Sequence, residues 1–231
     1  MPAANAKRVL GVDACKKGWI GLSSDLHGYF GRTIAALVEA AEADGALQVV
    51  AIDIPIGLPT NGSRQADGLA RKLVGRRTSS VFSTPVRAAL AAATHAEATA
   101  ISKETTGKGL SQQAYALGAK ILEVDAWARA SSSRRVIEVH PEVCFATMAG
   151  RPLAHSKSTW AGSEERRAIL RANGIALPAD LGLAGGMAGS DDVLDAAAAS
   201  WTAARFARDV ATSYPSTPEC FGDGHAAAIW A

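Results

Sequence analysis

Cysteine is scarce in this sequence, and so are long apolar runs and any excess of charge of one sign. Only three cysteines occur in 231 residues, Cys15, Cys144 and Cys220. They are far apart, odd in number and without zinc spacing, which argues against a disulfide framework or a structural zinc site. No apolar run approaches the roughly 20 residues that span a bilayer. The opening MPAANAKRVLGVD has no secretory apolar core. A cytoplasmic protein with no membrane partner is therefore expected. No internal repeat or clear interdomain linker is found, so the reading is one domain over residues 1–231. Basic and acidic residues number 24 and 22, a formal net charge of +2, which predicts no strong overall field and no binding of nucleic acid by bulk charge alone. Apolar residues at 48% and charged residues at 20% give ample material for a core and exclude a disordered chain.

The near-zero total conceals a segregation. Residues 63–90 carry Arg64, Arg71, Lys72, Arg76, Arg77 and Arg87 against Asp67 alone, a net of +5. Residues 178–231 carry Asp180, Asp191, Asp192, Asp195, Asp209, Glu219 and Asp223 against Arg205 and Arg208, a net of −5. The bland reading of such clusters is a solvated face. Alanine, about a fifth of the chain, suits helices or reflects genome composition.

Periodicity and turn residues organise the chain as follows. Residues 8–12 (RVLGV), 19–23 (WIGLS) and 28–33 (GYFGRT) read as a three-stranded antiparallel meander joined by short Gly-containing links. Residues 34–43 have helical apolar spacing. Residues 47–54 (LQVVAIDI) form the near-continuous apolar run of a strand buried on both faces. A helix linking the meander to this strand is a crossover, so it should pair parallel to the first strand. Helix and loop are expected across residues 60–133, with helices at 65–74 and 111–130. A strand follows at 135–139 and an amphipathic helix at 164–172. Residues 181–189 read as a Gly-rich loop and 191–210 as a long helix. The tail, 224–231, reads as an edge strand.

Carboxylates punctuate this plan. Asp13 ends the first strand and Asp53 ends the strand after the crossover. Neighbouring parallel strands would bring both to the carboxyl end of the sheet, where open α/β sheets bind ligands. A buried-strand Asp is costly unless it is paired or binds a cation, although Asp and Gly at strand ends are also common turn formers. In the segment SDDVLD, Asp191 and Asp192 suit a first helical turn with Ser190 as N-cap. Asp195 lies beyond the reach of that explanation, at i, i+3 or i, i+4 from the other two. Mutually repelling carboxylates call for hard divalent cations, and Mg²⁺ or Mn²⁺ accepts an all-oxygen shell. Two such ions suit phosphodiester hydrolysis. Glu138 is a further candidate ligand, and His140 a candidate proton shuttle or satisfied structural residue. Arg64, Arg71, Arg76, Arg77 and Arg87, with Ser79 and Ser80, suit a phosphate-rich substrate. Lys157 between two serines could add a phosphate contact. Phe82 is a stacking candidate, or simply core.

Taken together, GVDACKKGW (11–19), AIDIPIGLP (51–59), R-x-x-D-x-x-A-R (64–71), GRRTSSVFSTPVR (75–87), EVHPE (138–142) and DDVLDAAAASWTA (191–203) resemble a bacterial and archaeal domain family of unknown function. That family is described as predicted nucleases of RNase H-like fold. The motifs run in family order over nearly the whole chain. The resemblance implies an α/β fold with an RNase H-like core: a mixed five-stranded sheet, flanking helices and here a long helical insertion. It implies acidic positions at Asp13, Asp53, Asp192 and Asp195, the late-helix pair being similar to that of Holliday-junction resolvases. The expectation is a Mg²⁺- or Mn²⁺-dependent nuclease or phosphodiesterase acting on nucleic acid or another phosphate-rich substrate. Two rivals stand beside it. One is an enzyme or binding protein on the same fold for a nucleotide or small phosphorylated ligand, although no GxxxxGK[ST] loop is present. The other is a non-enzymatic module whose acids are structural and whose basic face docks a partner.

Overall fold

The computed structural model describes residues 8–130, 134–222 and 224–231. The N-terminal segment 1–7, the end of the expected helical stretch (131–133) and Asp223 lie outside the described residues. The chain folds as a mixed α/β protein around one seven-stranded sheet of order β3-β2-β1-β4-β5-β7-β6. Strands β1 (Val9–Cys15), β2 (Gly18–Ser23) and β3 (Gly28–Gly31) form the antiparallel meander. Helix α1 (Ile34–Ala43) crosses to β4 (Val49–Ile52), which pairs parallel to β1. Strand β5 (Arg135–Val139) pairs parallel to β4.

The sheet has seven strands where five were expected. The tail forms β7 (Ala226–Trp230), which pairs parallel to β5 and is an internal strand, not an edge. The added edge strand, β6 (Ser213–Cys220), is polar and contains Pro215 and Pro218. Proline is tolerated at a sheet edge because one side of the strand needs no ladder donor, so SYPSTPEC carries no apolar alternation from which to infer a strand.

Between β4 and β5 the described chain is helix and loop: α2 (Gln65–Leu73), a 3-10 helix at Gly75–Ser80, α3 (Arg87–Leu90), α4 (His95–Thr106), α5 (Gln112–Ala116) and α6 (Gly118–Ala130). The single helix expected at 111–130 is thus two, broken at Leu117. Val86, Ala89, Ala98, Leu110 and Ala114 give this insertion a small core of its own. After β5 come α7 (Pro141–Ala149), α8 (Trp160–Ala172), α9 (Gly182–Met187) and α10 (Ser190–Phe206). The loop expected at 181–189 therefore contains a short helix. The N-cap of α10 is Gly189, not Ser190.

Strand parity builds the layers. Val9, Val49, Ala51, Ile137 and Val139 face one core with α7 and α10, whereas Leu10, Val12, Val50 and Ile52 face another with α1 and α6. Each strand is therefore covered on both sides, as its continuous apolar run requires. Helix α10 approaches β1 closely at Gly11. A Cβ there would lie 1.9 Å from the Ser200 amide nitrogen and 2.3 Å from the Ala196 carbonyl oxygen. The run Ala196–Ala199 is fully buried, so the small side chains of this helix serve backbone-to-backbone packing.

Candidate functional site: an acidic cleft at the carboxyl ends of the parallel strands

The same packing positions the acids. Asp13 lies two residues beyond Gly11 and so points to the α10 side of the sheet. Asp53 lies two residues beyond Ala51 on that side, and its backbone N–H donates to the Val12 carbonyl at 3.0 Å. Asp195 immediately precedes Ala196, at the end of α10 that overlies the ends of β1 and β4. The three carboxylates, with Asp192, line one cavity of about 620 Å³.

Their electrostatics are coupled. Asp13 is raised well above the usual carboxylate range by burial and then by the charges of Asp53 and Asp195. Burial pushes Asp53 up to about 7, against the pull of Lys157. Burial likewise raises Asp195 to about 6, again opposed by Lys157. Lys157 Nζ donates to Asp195 Oδ2 at 2.6 Å and lies 3.8 Å from Asp191 Oδ2. Burial works against the Lys157 charge, but Asp195, followed by Asp13 and Asp53, outweighs it and holds the ammonium above its ordinary value. Asp13 Oδ1 accepts from the Ala14 N–H at 2.7 Å. Asp192 caps α10, accepting from the Gly189 N–H at 3.0 Å, and burial raises it.

Glu138 does not join this group. The register pairs it with Ile52, and Ile52 faces the other core, so Glu138 points away from the aspartate side. It meets Arg64 there. Arg64 Nη1 and Nη2 donate to the two Glu138 carboxylate oxygens, each at 2.7 Å. Arg64 also donates to Asp67 from Nε and Nη2 and to the Ile56 carbonyl from Nη1. Glu138 takes the Ile56 N–H as well, and Asp67 takes the N–H and hydroxyl of Thr84. Arg64 is 3% exposed. It is bound from within and has no donor left for a substrate phosphate.

The remaining candidates divide. Arg71 is turned onto the Val81 carbonyl and Ser83 hydroxyl, and Arg87 makes a two-point ion pair with Asp125. Neither lines the cavity. Arg76, Arg77, Ser79, Ser80, His140 and Lys157 do. Arg76 is exposed. Arg77 lies 3.8 Å from Glu142. His140 Nε2 faces the Ser80 carbonyl at 3.2 Å, and its Nδ1 is buried without a partner among the described residues. Burial depresses His140, with the Ser80 carbonyl opposing.

Some contributors carried little signal in the sequence. Arg166 is fully buried. It pairs with Glu142 and donates to the carbonyls of His155 and Gly162. Phe82, Gln113 and Leu117 bring the insertion to the cavity wall. Arg166 sits in the polar-looking string SEERRAIL, and only the buried Glu142 opposite it explains its burial.

The donor chemistry fits a hard divalent cation: the groups are all carboxylate oxygens, with the Lys157 ammonium paired to Asp195. Among the described residues no three His, Cys, Asp or Glu side chains stand close enough to enclose one ion. Mg²⁺ does not require an enclosure, since it is commonly held by one or two carboxylates with water and substrate phosphate completing the octahedron. Asp13 and Asp53, adjacent across the β1–β4 pair, are the residues suited to that role.

Fold and site thus define a mixed α/β protein with an acidic cleft at the carboxyl ends of its parallel strands. The chain belongs to the family described as "Protein of unknown function (DUF429)", which matches residues 11–220. No curated protein and no solved structure matches it. Among the described residues no helix is long and apolar enough to cross a membrane.

Proposed function

We propose that this protein is a divalent-metal-dependent phosphodiesterase of nuclease type, built on an RNase H-like core and using Mg²⁺ or Mn²⁺. The convergence of Asp13, Asp53 and Asp195 in one cleft, with Lys157 as the ammonium among them, carries the reading. The order β3-β2-β1-β4-β5 within the sheet supports the RNase H-like assignment.

Asp13 and Asp53 would hold the metal, whose role when bound is to polarise the phosphoryl oxygen and stabilise the leaving oxygen. Asp13 and Asp53 would be held ionised by a bound cation against the upward push of burial, and one carboxylate of the cleft would orient or deprotonate the attacking water. Arg76 and Ser79, which line the cavity, would meet the phosphate from the insertion side, whereas the Ser80 hydroxyl already donates to the Arg77 carbonyl at 2.8 Å. His140 holds the Ser80 carbonyl and thereby that wall.

A second reading, a nucleotide or small phosphorylated molecule as substrate, is favoured by one observation. The site, lined in part by Phe82, Gln113 and Leu117 of the insertion, has a volume of about 620 Å³, within the ordinary range for small-molecule pockets, and Arg71 and Arg87 do not line it.

Labelled single- and double-stranded DNA and RNA, bis(p-nitrophenyl) phosphate and a nucleotide panel, each with Mn²⁺ or with EDTA, test both. Metal-dependent cleavage is expected. Asp13→Asn and Asp53→Asn should each lower the rate by roughly 100–1,000-fold while circular dichroism stays native. Undiminished cleavage in EDTA or in Asp53→Asn would overturn the reading. Activity confined to nucleotides would select the second.

A further inference from the structure

Lys157 is held unusually firmly for a lysine in a connecting segment. The segment 150–159 between α7 and α8 is pinned at both sides of it. Glu165 accepts from the backbone N–H groups of Ala154 and His155 at 3.1 and 2.9 Å. Arg166 reaches from α8 to the His155 carbonyl at 3.2 Å, and Glu142 on α7 anchors its other end. The Thr159 hydroxyl accepts from Gly162 N–H at the start of α8. At Gly162 a Cβ would lie 1.8 Å from the Ser156 carbonyl oxygen, so the segment is seated directly on the helix. The result is an ammonium delivered to a carboxylate only 3% exposed, Asp195, at 2.6 Å.

The geometry points to Lys157 as the built-in second cation of the cleft: one divalent ion binds, at Asp13 and Asp53, and the ammonium takes the place beside Asp195 that a second ion would need. This rests on the metal-dependent reading above and specifies its stoichiometry. The physical reason is competition for one set of oxygens. Asp195 gives Lys157 a short, charge-assisted hydrogen bond, and an ammonium fixed there repels a divalent ion from the same carboxylate. Lys157 is 41% exposed along its side chain, so the tip faces both Asp195 and the open cleft. There it can meet a substrate phosphate without leaving the site, supplying as a point charge what the second ion of a two-metal pair supplies.

The test is a count of bound ions. Mn²⁺ is titrated into the full-length protein near neutral pH, and free Mn²⁺ is read from its paramagnetic resonance signal. The wild type and Lys157→Arg should bind one ion per chain. Lys157→Ala should bind two, with the first about tenfold tighter because one repelling charge is gone. Two ions in the wild type would overturn the inference while leaving the metal-dependent reading intact. A single ion in both wild type and Lys157→Ala would also overturn it. No binding to the wild type would remove both. Should Lys157→Ala fold poorly, Lys157→Met keeps the aliphatic stem without the charge and carries the same expectation of two ions, one ion again overturning the inference.

Discussion

Two carboxylate clusters lie in one cleft, and they are built on opposite principles. Around Arg64 the accounting closes. A guanidinium carries five N–H donors, and Arg64 makes five hydrogen bonds, to Asp67, Glu138 and the Ile56 carbonyl. The surplus negative charge is met by the backbone N–H groups of Ile56 and Thr84. Around Asp13, Asp53 and Asp195 it does not close. Burial raises all three acids, as it also raises Glu138. Glu138, however, has two hydrogen bonds from Arg64 and one from the Ile56 N–H, whereas Lys157 donates to Asp195 and to neither Asp13 nor Asp53 among the hydrogen bonds of the described residues. A buried charged group that is fully hydrogen-bonded serves architecture. A buried group left undercompensated costs stability and is a candidate for chemistry.

Breaking the closed cluster should give the largest effect. Arg64→Ala leaves Glu138 and Asp67 buried without their partner, and a loss of about 3–5 kcal/mol of stability is expected. Chemical denaturation measures it, and a loss under 1 kcal/mol would place Arg64 outside the framework.

The open cluster should respond in the opposite sense. Asp53 keeps its proton to about pH 7 in the folded protein, whereas in the unfolded chain it releases it near the ordinary carboxylate value. Between those values the folded state binds more protons. Its contribution to stability is therefore present at low pH and lost as pH rises from about 4 to 7. In metal-free buffer Asp53→Asn should flatten that decline and raise Tm at pH 8 by about 2–4 °C. A Tm below wild type across the range would assign Asp53 to the framework as well.

The smallest expected effect is at the rim. Arg76→Ala should leave Tm unchanged and weaken substrate or inorganic phosphate binding by about three- to tenfold, the measure of one exposed charge contact. Calorimetric titration checks it. An unchanged affinity would show that the basic wall is a solvated face.

These contrasts also separate what was readable in the chain. The apolar runs at β1, β4 and β5 and the crossover through α1 were legible, because burial on both faces leaves few polar residues in a strand. The positions of Asp13 and Asp53 followed, since both terminate such runs. Glu138 misled, because EVHPE shows a carboxylate near a strand end but not the register that turns it to the other face. Arg64, Arg71 and Arg87 misled in the same way: a cluster of like charge in sequence says nothing of the groups that meet each arginine in space. Here Asp67 on α2 and Glu138 on β5 meet Arg64, Asp125 on α6 meets Arg87, and Arg71 is turned onto the Val81 carbonyl and Ser83 hydroxyl. The hairpin of β6 and β7 was half visible, β7 through its apolar AAAIW and β6 not at all.

Local hydrophobic pattern sufficed for the meander, the crossover from α1 to β4 and the acids that punctuate the ends of β1 and β4. Tertiary structure decided which charges cancel. The burial of Arg64 against Glu138, the close seat of α10 on Gly11 that brings Asp195 to Asp13, and the delivery of Lys157 to Asp195 all join residues distant in the chain. Electrostatic energy depends on separation and burial in space, and neither is encoded in the local pattern around any one of these residues.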